Sequence, residues 1–290
     1  MSEVLSLRGR AEAATADLAP LLVRAERLAT AIMPGGHGRK RVGAGDDFWQ
    51  YRPLEAGDTM RMVDWRRSAR SDAQFVRQQE WQIAQSVLFW VDRARSMQFS
   101  SGPNLPDKID RAQLVALTIA ILLSRGGERI GLLGADLPAR AGATQLHRFA
   151  HLLAQPEAQD FAAPNVSEVV QNASVVMVSD FLADLDKTQK ALDEAAAKGV
   201  RGLCLQILDP VEESFPFQGR AVFQSVGATM RHETLQARSL ADRYLARLAD
   251  RKARLAQACK RAGWSFATHH TNEPAQAAVT WVYNMLEGPR

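Results

Sequence analysis

Apolar and polar positions follow two rhythms along this chain. Residues 6–32 place Leu7, Leu18, Leu21, Leu22, Leu28 and Ile32 at roughly helical intervals, and Pro34-Gly35-Gly36 closes the run. The spacing predicts an amphipathic helix. From residue 82 the rhythm changes. Short runs at 86–92, 129–134, 174–180, 202–209 and 264–270 are apolar on both faces and rich in Val, Ile and Leu. Such runs suit parallel strands covered by helices on both sides. Helical patterns separate them at 109–125, 144–155, 185–198, 237–261 and 273–286. Strand and helix in alternation predict an α/β fold with a doubly wound, mainly parallel sheet. Residues 210–236 interrupt the alternation and read as a small hairpin or excursion.

Residues 34–82 have no sustained period. They are dense in Gly, Arg and Asp, yet they hold Phe48, Trp49, Tyr51 and Trp65, which linkers seldom contain. The segment reads as an ordered, irregular extension of short strands and turns held by salt bridges. The expected division is therefore 1–82, the N-terminal helix with this segment, and 83–290, the α/β domain with its excursion at 210–236.

Composition narrows the class. The chain has 290 residues, 46% of them hydrophobic, which is enough for a sizeable core. A net charge of +4 permits anionic partners without demanding them. Cys204 and Cys259 have no metal-ligand neighbours and read as reduced packing residues. The first ten residues lack the apolar core of a leader, and the longest apolar stretch, 112–124, falls short of the ~18 residues a membrane helix needs. These two features lead to an expectation of the cytoplasm.

In an open parallel sheet, chemistry gathers beyond the carboxyl ends of the strands. Asp92 ends the first run, with Ala94 and Ser96 just after it; Ser179 and Asp180 end the third; Thr144 opens the helix after the second. The plainest roles for such carboxylates are helix caps and arginine pairs. Arg61, Asp64, Trp65, Arg66, Arg67 and Arg70 crowd ten residues. An internal network is expected there, with Asp58 and Asp64 paired to Arg52, Arg61 or Arg70 and Trp65 packed on the α/β core. Arg66, Arg67 and the GRKR of 38–41 are left to solvent or a partner. Residues 238–261 hold eight Lys and Arg against Asp242 and Asp250. Leu240, Tyr244, Leu248, Leu255 and Ala258 form an apolar stripe beside them, so a solvated amphipathic helix is expected in preference to a nucleic-acid surface. Phosphate-loop, G-x-S-x-G and HExxH motifs do not occur. His147 and His151 share a helical face without a third ligand nearby, and His269-His270 end a strand.

Two stretches resemble known families. "GDDFWQYRPLEAGDTMRMVDWRRSAR" (45–70) is similar to the diagnostic segment of bacterial domain-of-unknown-function family 58 at Arg52, Leu54, Gly57, Asp58, Arg61, Asp64, Trp65, Ser68, Ala69 and Arg70. A strand ending in D-x-S-x-S, a later loop Thr and a later strand-end Asp resemble the metal-ion-dependent adhesion site of von Willebrand factor A domains. Together the likenesses span roughly 34–210. They imply a von Willebrand A-like domain whose ligands for Mg²⁺ or Ca²⁺ would be Asp92, Ser96, Thr144 and Asp180. The chain departs from the pattern at Ala94, and Arg93 and Arg95 would repel a dication or replace its charge. The site is therefore expected to be degenerate, and no cofactor follows with certainty. Family 58 proteins imply a MoxR-type AAA+ ATPase as partner. The expectation is a non-enzymatic adaptor that docks such an ATPase through the strand-end face, with Arg93 and Arg95 accepting a partner carboxylate. The alternative is a Mg-dependent hydrolase or nuclease using Asp92 and Asp180.

Overall fold

The computed structural model describes residues 20–32, 40–43, 47–55, 58–69, 73–82, 84–224, 231–234, 236 and 238–287. Two compact units emerge: residues 37–85 form one, and the chain on either side of them forms the other. The first described element is helix α1 (20–32). The expected helical stretch at 6–19 lies outside the described residues.

The smaller unit is a three-stranded antiparallel sheet. Its strands are β1 (Lys40–Gly43), β2 (Asp47–Pro53) and β3 (Phe75–Gln82), with β3 in the centre. A four-residue helix, α2 (Trp65–Ser68), fills the β2–β3 connection. Asp64 caps it: Oδ1 accepts from the Arg67 amide at 3.0 Å and Oδ2 from the Tyr51 hydroxyl at 3.2 Å. The Ser68 hydroxyl donates to the Asp64 carbonyl and accepts from the Phe75 amide, tying the turn to β3. Asp58 accepts from the Glu55 amide at 2.8 Å. One expectation changes here. Trp65 is 55% exposed and so is not a core residue. Arg66 and Arg67 are both exposed, and the Arg67 guanidinium also lies over the Tyr51 and Phe75 rings at 5.2 and 5.6 Å, which gives it a packing role in this unit as well. Gly57 and Arg70 fall outside the described residues.

The larger unit contains β4 (Ser86–Val91), α3 (Lys108–Arg125), β5 (Arg129–Leu132), β6 (Leu137–Arg140), α4 (Ala143–Leu153), β7 (Ser174–Ser179), α5 (Leu185–Ala197) and β8 (Arg201–Leu208). It continues through α6 (Pro210–Ser214), the hairpin β9 (Ala221–Gln224) and β10 (Arg231–Thr234), α7 (Arg238–Arg261), β11 (Ser265–His270) and α8 (Ala275–Glu287). Six strands form its central sheet in the order β11-β8-β7-β4-β5-β6. All neighbours are parallel except the β5–β6 edge pair. The fold is thus mixed α/β with a mainly parallel sheet, and the five expected strands are all present. β6 is not among the expected strands. It is short and contains Pro138, which the sheet tolerates only at an edge.

Successive side chains of β4 point to opposite faces, which builds two cores. Val87, Phe89 and Val91 join α3 and α4 together with Ala25 and Ala29 of α1; Leu88 and Trp90 join Leu192, Leu255 and Trp264 on the other side. Helix α1 therefore belongs with the α/β unit and not with the segment that follows it. At Gly202 the second core has no spare room. A Cβ there would lie 2.4 Å from the Val175 carbonyl oxygen and 2.8 Å from the Trp264 ring. Gly202→Ala is expected to destabilise by about 1–3 kcal/mol in urea titrations, the usual range for overpacking.

Candidate functional site

The strand order reverses between β4 and β7, and a crevice forms at such a point at the carboxyl edge. Asp92 follows β4 directly and Asp180 follows β7; they are 1% and 0% exposed. Both carboxylates are engaged by the protein itself. Asp92 Oδ1 accepts from the Ala94 amide at 3.0 Å, and Oδ2 accepts from the Ser179 hydroxyl at 2.7 Å. Burial pushes the Asp92 pKa up to about 6; the Ser179 hydroxyl opposes this and the Asp180 charge adds to it. Asp180 Oδ1 accepts from the Leu182 amide at 2.9 Å, and Oδ2 from the Lys108 ammonium at 2.7 Å. The next residue, Phe181, is held at φ +51°, a left-handed conformation that bulky residues avoid.

Lys108 is the residue that sequence reasoning missed. It opens α3, where a helix disfavours positive charge, and its side chain is 2% exposed. Its ammonium donates to Asp180 and, at 2.8 Å, to Glu212 Oε1, and lies 5.6 Å from the Phe99 ring centroid. Burial works against its charge, but Asp180 and Glu212 outweigh burial and raise its pKa. Glu212 is itself raised by burial, which its contact with Lys108 only partly offsets. Glu212 belongs to a capping box on α6: Asp209 Oδ1 accepts from the Val211 amide, and Glu212 Oε2 accepts from the Asp209 amide at 2.8 Å. Asp209 Oδ2 accepts from the Ser101 amide at 2.9 Å. One buried ammonium thus links the β4–α3 loop region, the end of β7 and the end of β8.

The four expected ion ligands are not brought together. Because β6 runs antiparallel, it returns the chain to the opposite edge of the sheet before α4 begins. Thr144, exposed in the first turn of α4, therefore lies at the amino edge, away from Asp92 and Asp180. Ser96 is buried, and its hydroxyl has no hydrogen-bond partner among the described residues. Position 94 offers no side-chain oxygen, and an ammonium sits against Asp180 where a dication would be needed. This donor set does not fit Mg²⁺ or Ca²⁺. Nor do the described residues contain a group of three or more His, Cys, Asp or Glu arranged to hold a metal.

Arg93 also departs from expectation. It is 5% exposed and turned inward, donating to the Leu152 carbonyl at 2.5 Å and to Glu157 at 2.6 Å. The carbonyl end of α4 and a carboxylate together attract it, so it is not free to meet a partner. Arg95 is half exposed and 3.6 Å from Asp160. His147 and His151 are both exposed, and His151 contacts Gln155.

Beside the buried ions an open cavity of about 560 Å³ faces solvent. Phe99, Val211, Phe215, Phe217, Leu240 and Tyr244 line it, Glu212 forms part of its floor, and Arg243 and Arg247 contribute to its wall. Phe215 meets Phe217 edge-to-face and Tyr244 at a tilt, with ring centroids 5.2 and 5.0 Å apart.

An α/β protein with a salt-linked strand edge and an adjoining apolar cavity is the class that fold and site define. The chain belongs to the family described as "Protein of unknown function DUF58", whose model matches residues 50–254. It is 27% identical over 208 residues to uncharacterized proteins of Mycobacterium tuberculosis strain H37Rv and Mycobacterium bovis, covering 67% of this chain. The chain spans 64% of the length of those relatives. Among solved structures it is similar to the conserved hypothetical protein BatB from Bacteroides thetaiotaomicron, at 13% identity and TM-score 0.40, over 71% of this chain and 100% of that one. An aerotolerance-related membrane protein from Bacteroides fragilis matches at 12% identity and TM-score 0.38, over 69% and 99%. An uncharacterized membrane spanning protein from Vibrio fischeri matches at 14% and TM-score 0.20, over 71% and 99%. The expectation of a cytoplasmic compartment is withdrawn, because two of these neighbours are described as membrane proteins. Among the described residues, no helix is long and apolar enough to cross a membrane.

Proposed function

We propose that the chain is a non-enzymatic interaction module with a von Willebrand A-like α/β unit, and that it docks a MoxR-type AAA+ ATPase through its strand-end face. Support for the von Willebrand A-like reading comes from the strand order and its antiparallel edge, with Asp92 and Asp180 flanking the reversal point. One observation carries the docking reading. Asp180 and Glu212, which could serve as bases or hold a dication, are bound to Lys108, while the same face offers an apolar cavity and exposed arginines. Such an edge is suited to gripping a surface by shape and charge. Arg95 takes the role first given to Arg93 and Arg95 together, because its guanidinium stays half exposed. The family likeness is what suggests the ATPase.

The test is binding of a purified MoxR-type ATPase from the same genome, measured by biolayer interferometry. Arg95→Glu is expected to weaken it about tenfold, the effect of reversing one charge in a desolvated contact. Wild-type affinity in that variant, or turnover of a phosphoester by the purified chain, would remove this reading.

A further inference from the structure

We infer that the cavity between α6 and the amino-terminal half of α7 is a peptide site, and that it takes a short acidic segment of a partner protein carrying Phe, Trp or Leu side chains. The inference rests on the docking reading and names the chemistry of what docks. Its volume of about 560 Å³ is within the range of working ligand sites and holds one or two large side chains. Its lining is apolar and largely aromatic, a surface that a folded chain ordinarily covers. Glu212 opposes an anion there only in part, because it shares the Lys108 ammonium with Asp180, and Arg243 and Arg247 outweigh the one negative charge that this trio keeps.

The wall sets the sign of the occupant. Arg243 and Arg247 are exposed, and neither makes an ion pair among the described residues. Other basic residues of the same helix do: Lys252 pairs with Glu213, and Arg254 with Asp186 at 3.2 Å. The two unpaired guanidiniums stand one helical turn apart, about 5–6 Å along α7. That spacing suits successive carboxylates of an extended segment better than the single head group of a fatty acid. Inside, the Tyr244 hydroxyl makes no hydrogen bond among the described residues. Its pKa is pushed up to about 12, by burial first and then by Glu212, so it stays a neutral donor. A backbone carbonyl or a carboxylate of the bound segment would complete it.

The experiment is selection of phage-displayed random dodecapeptides on the full chain, with affinities of enriched peptides measured by fluorescence anisotropy. Enriched sequences are expected to combine Phe, Trp or Leu with Asp or Glu. Arg243→Glu with Arg247→Glu should weaken them about tenfold or more, as lost charge-assisted contacts do. Leu240→Ala should weaken them too, with melting temperature confirming that the variant is folded. Lys260→Glu with Arg261→Glu makes the same charge change at the far end of α7 and should leave affinity unchanged. Enrichment of neutral or purely polar peptides, equal loss in the far-end variant, displacement of peptide by oleate with tighter binding of oleate, or no enrichment at all would overturn the inference. If selected peptides bind but the Arg243→Glu, Arg247→Glu variant still captures the ATPase, the peptide site stands and that ATPase is not its occupant. If the ATPase binds wild type and no peptide is enriched, the docking reading stands and the peptide site falls.

Discussion

Lys108→Met is expected to destabilise the protein by about 3–5 kcal/mol in urea titrations at neutral pH, the range measured when one partner of a buried ion pair is removed. The reason is what stays behind. Asp180 is wholly buried and Glu212 nearly so, and both point at the vacated ammonium position. Methionine fills the space but leaves two facing carboxylates without a counter-charge. The loss should shrink as pH is lowered, because Glu212, whose pKa burial already raises, then takes up a proton, which relieves both its desolvation and the repulsion. Adding Asp180→Asn and Glu212→Gln to Lys108→Met should recover at least half of the loss. Those amides can still accept from Leu182 and Asp209, the local bonds the carboxylates now make. A Lys108→Met loss below about 1 kcal/mol would mean that the three groups are solvated and that the edge is not locked.

What could be read ahead of the structure follows from how local each signal is. Val87–Val91 and Ser174–Ser179 are apolar on both faces because both faces are covered, so the parallel strands were visible as runs. Asp64 sits three residues before the Arg67 amide it caps, a distance any local reading spans. The edge strand Leu137–Arg140 was hidden by its shortness and by Pro138, and missing it sent Thr144 to the wrong edge of the sheet. Asp209-Pro210 with Glu212 carried a legible capping-box signal in a stretch read only as an excursion. The Lys108 link is another kind of problem. Its partners lie 72 and 104 residues away, and no periodicity joins them. The one local hint was a lysine at the first position of a helix, where the dipole disfavours it. Arg93 misled for a similar reason: its position beside Asp92 suggested an outward guanidinium, while its true partners, Leu152 and Glu157, lie about sixty residues on.

Asp92 provides the second large effect, and its sign is set by burial. The native carboxyl titrates at about 6, whereas an unperturbed aspartate titrates near 3.8. Between those values the folded protein holds a proton that the unfolded chain has already released. Stability therefore falls as pH rises from about 4 to about 6 and is flat with respect to this group above that. The span corresponds to about 3 kcal/mol at 1.36 kcal/mol for each pH unit. Asp92→Asn removes the titration while keeping an oxygen for the Ala94 amide and a group that can meet the Ser179 hydroxyl. The expected result is a variant less stable than, or equal to, wild type near pH 4 and more stable by about 1–3 kcal/mol at pH 7.5, with the difference developing across the window. Chemical denaturation at a series of pH values measures it. A constant difference across that series would mean that Asp92 is ionised throughout, and that some cation or solvent reaches the edge of β4 that Lys108 and Ser179 otherwise close.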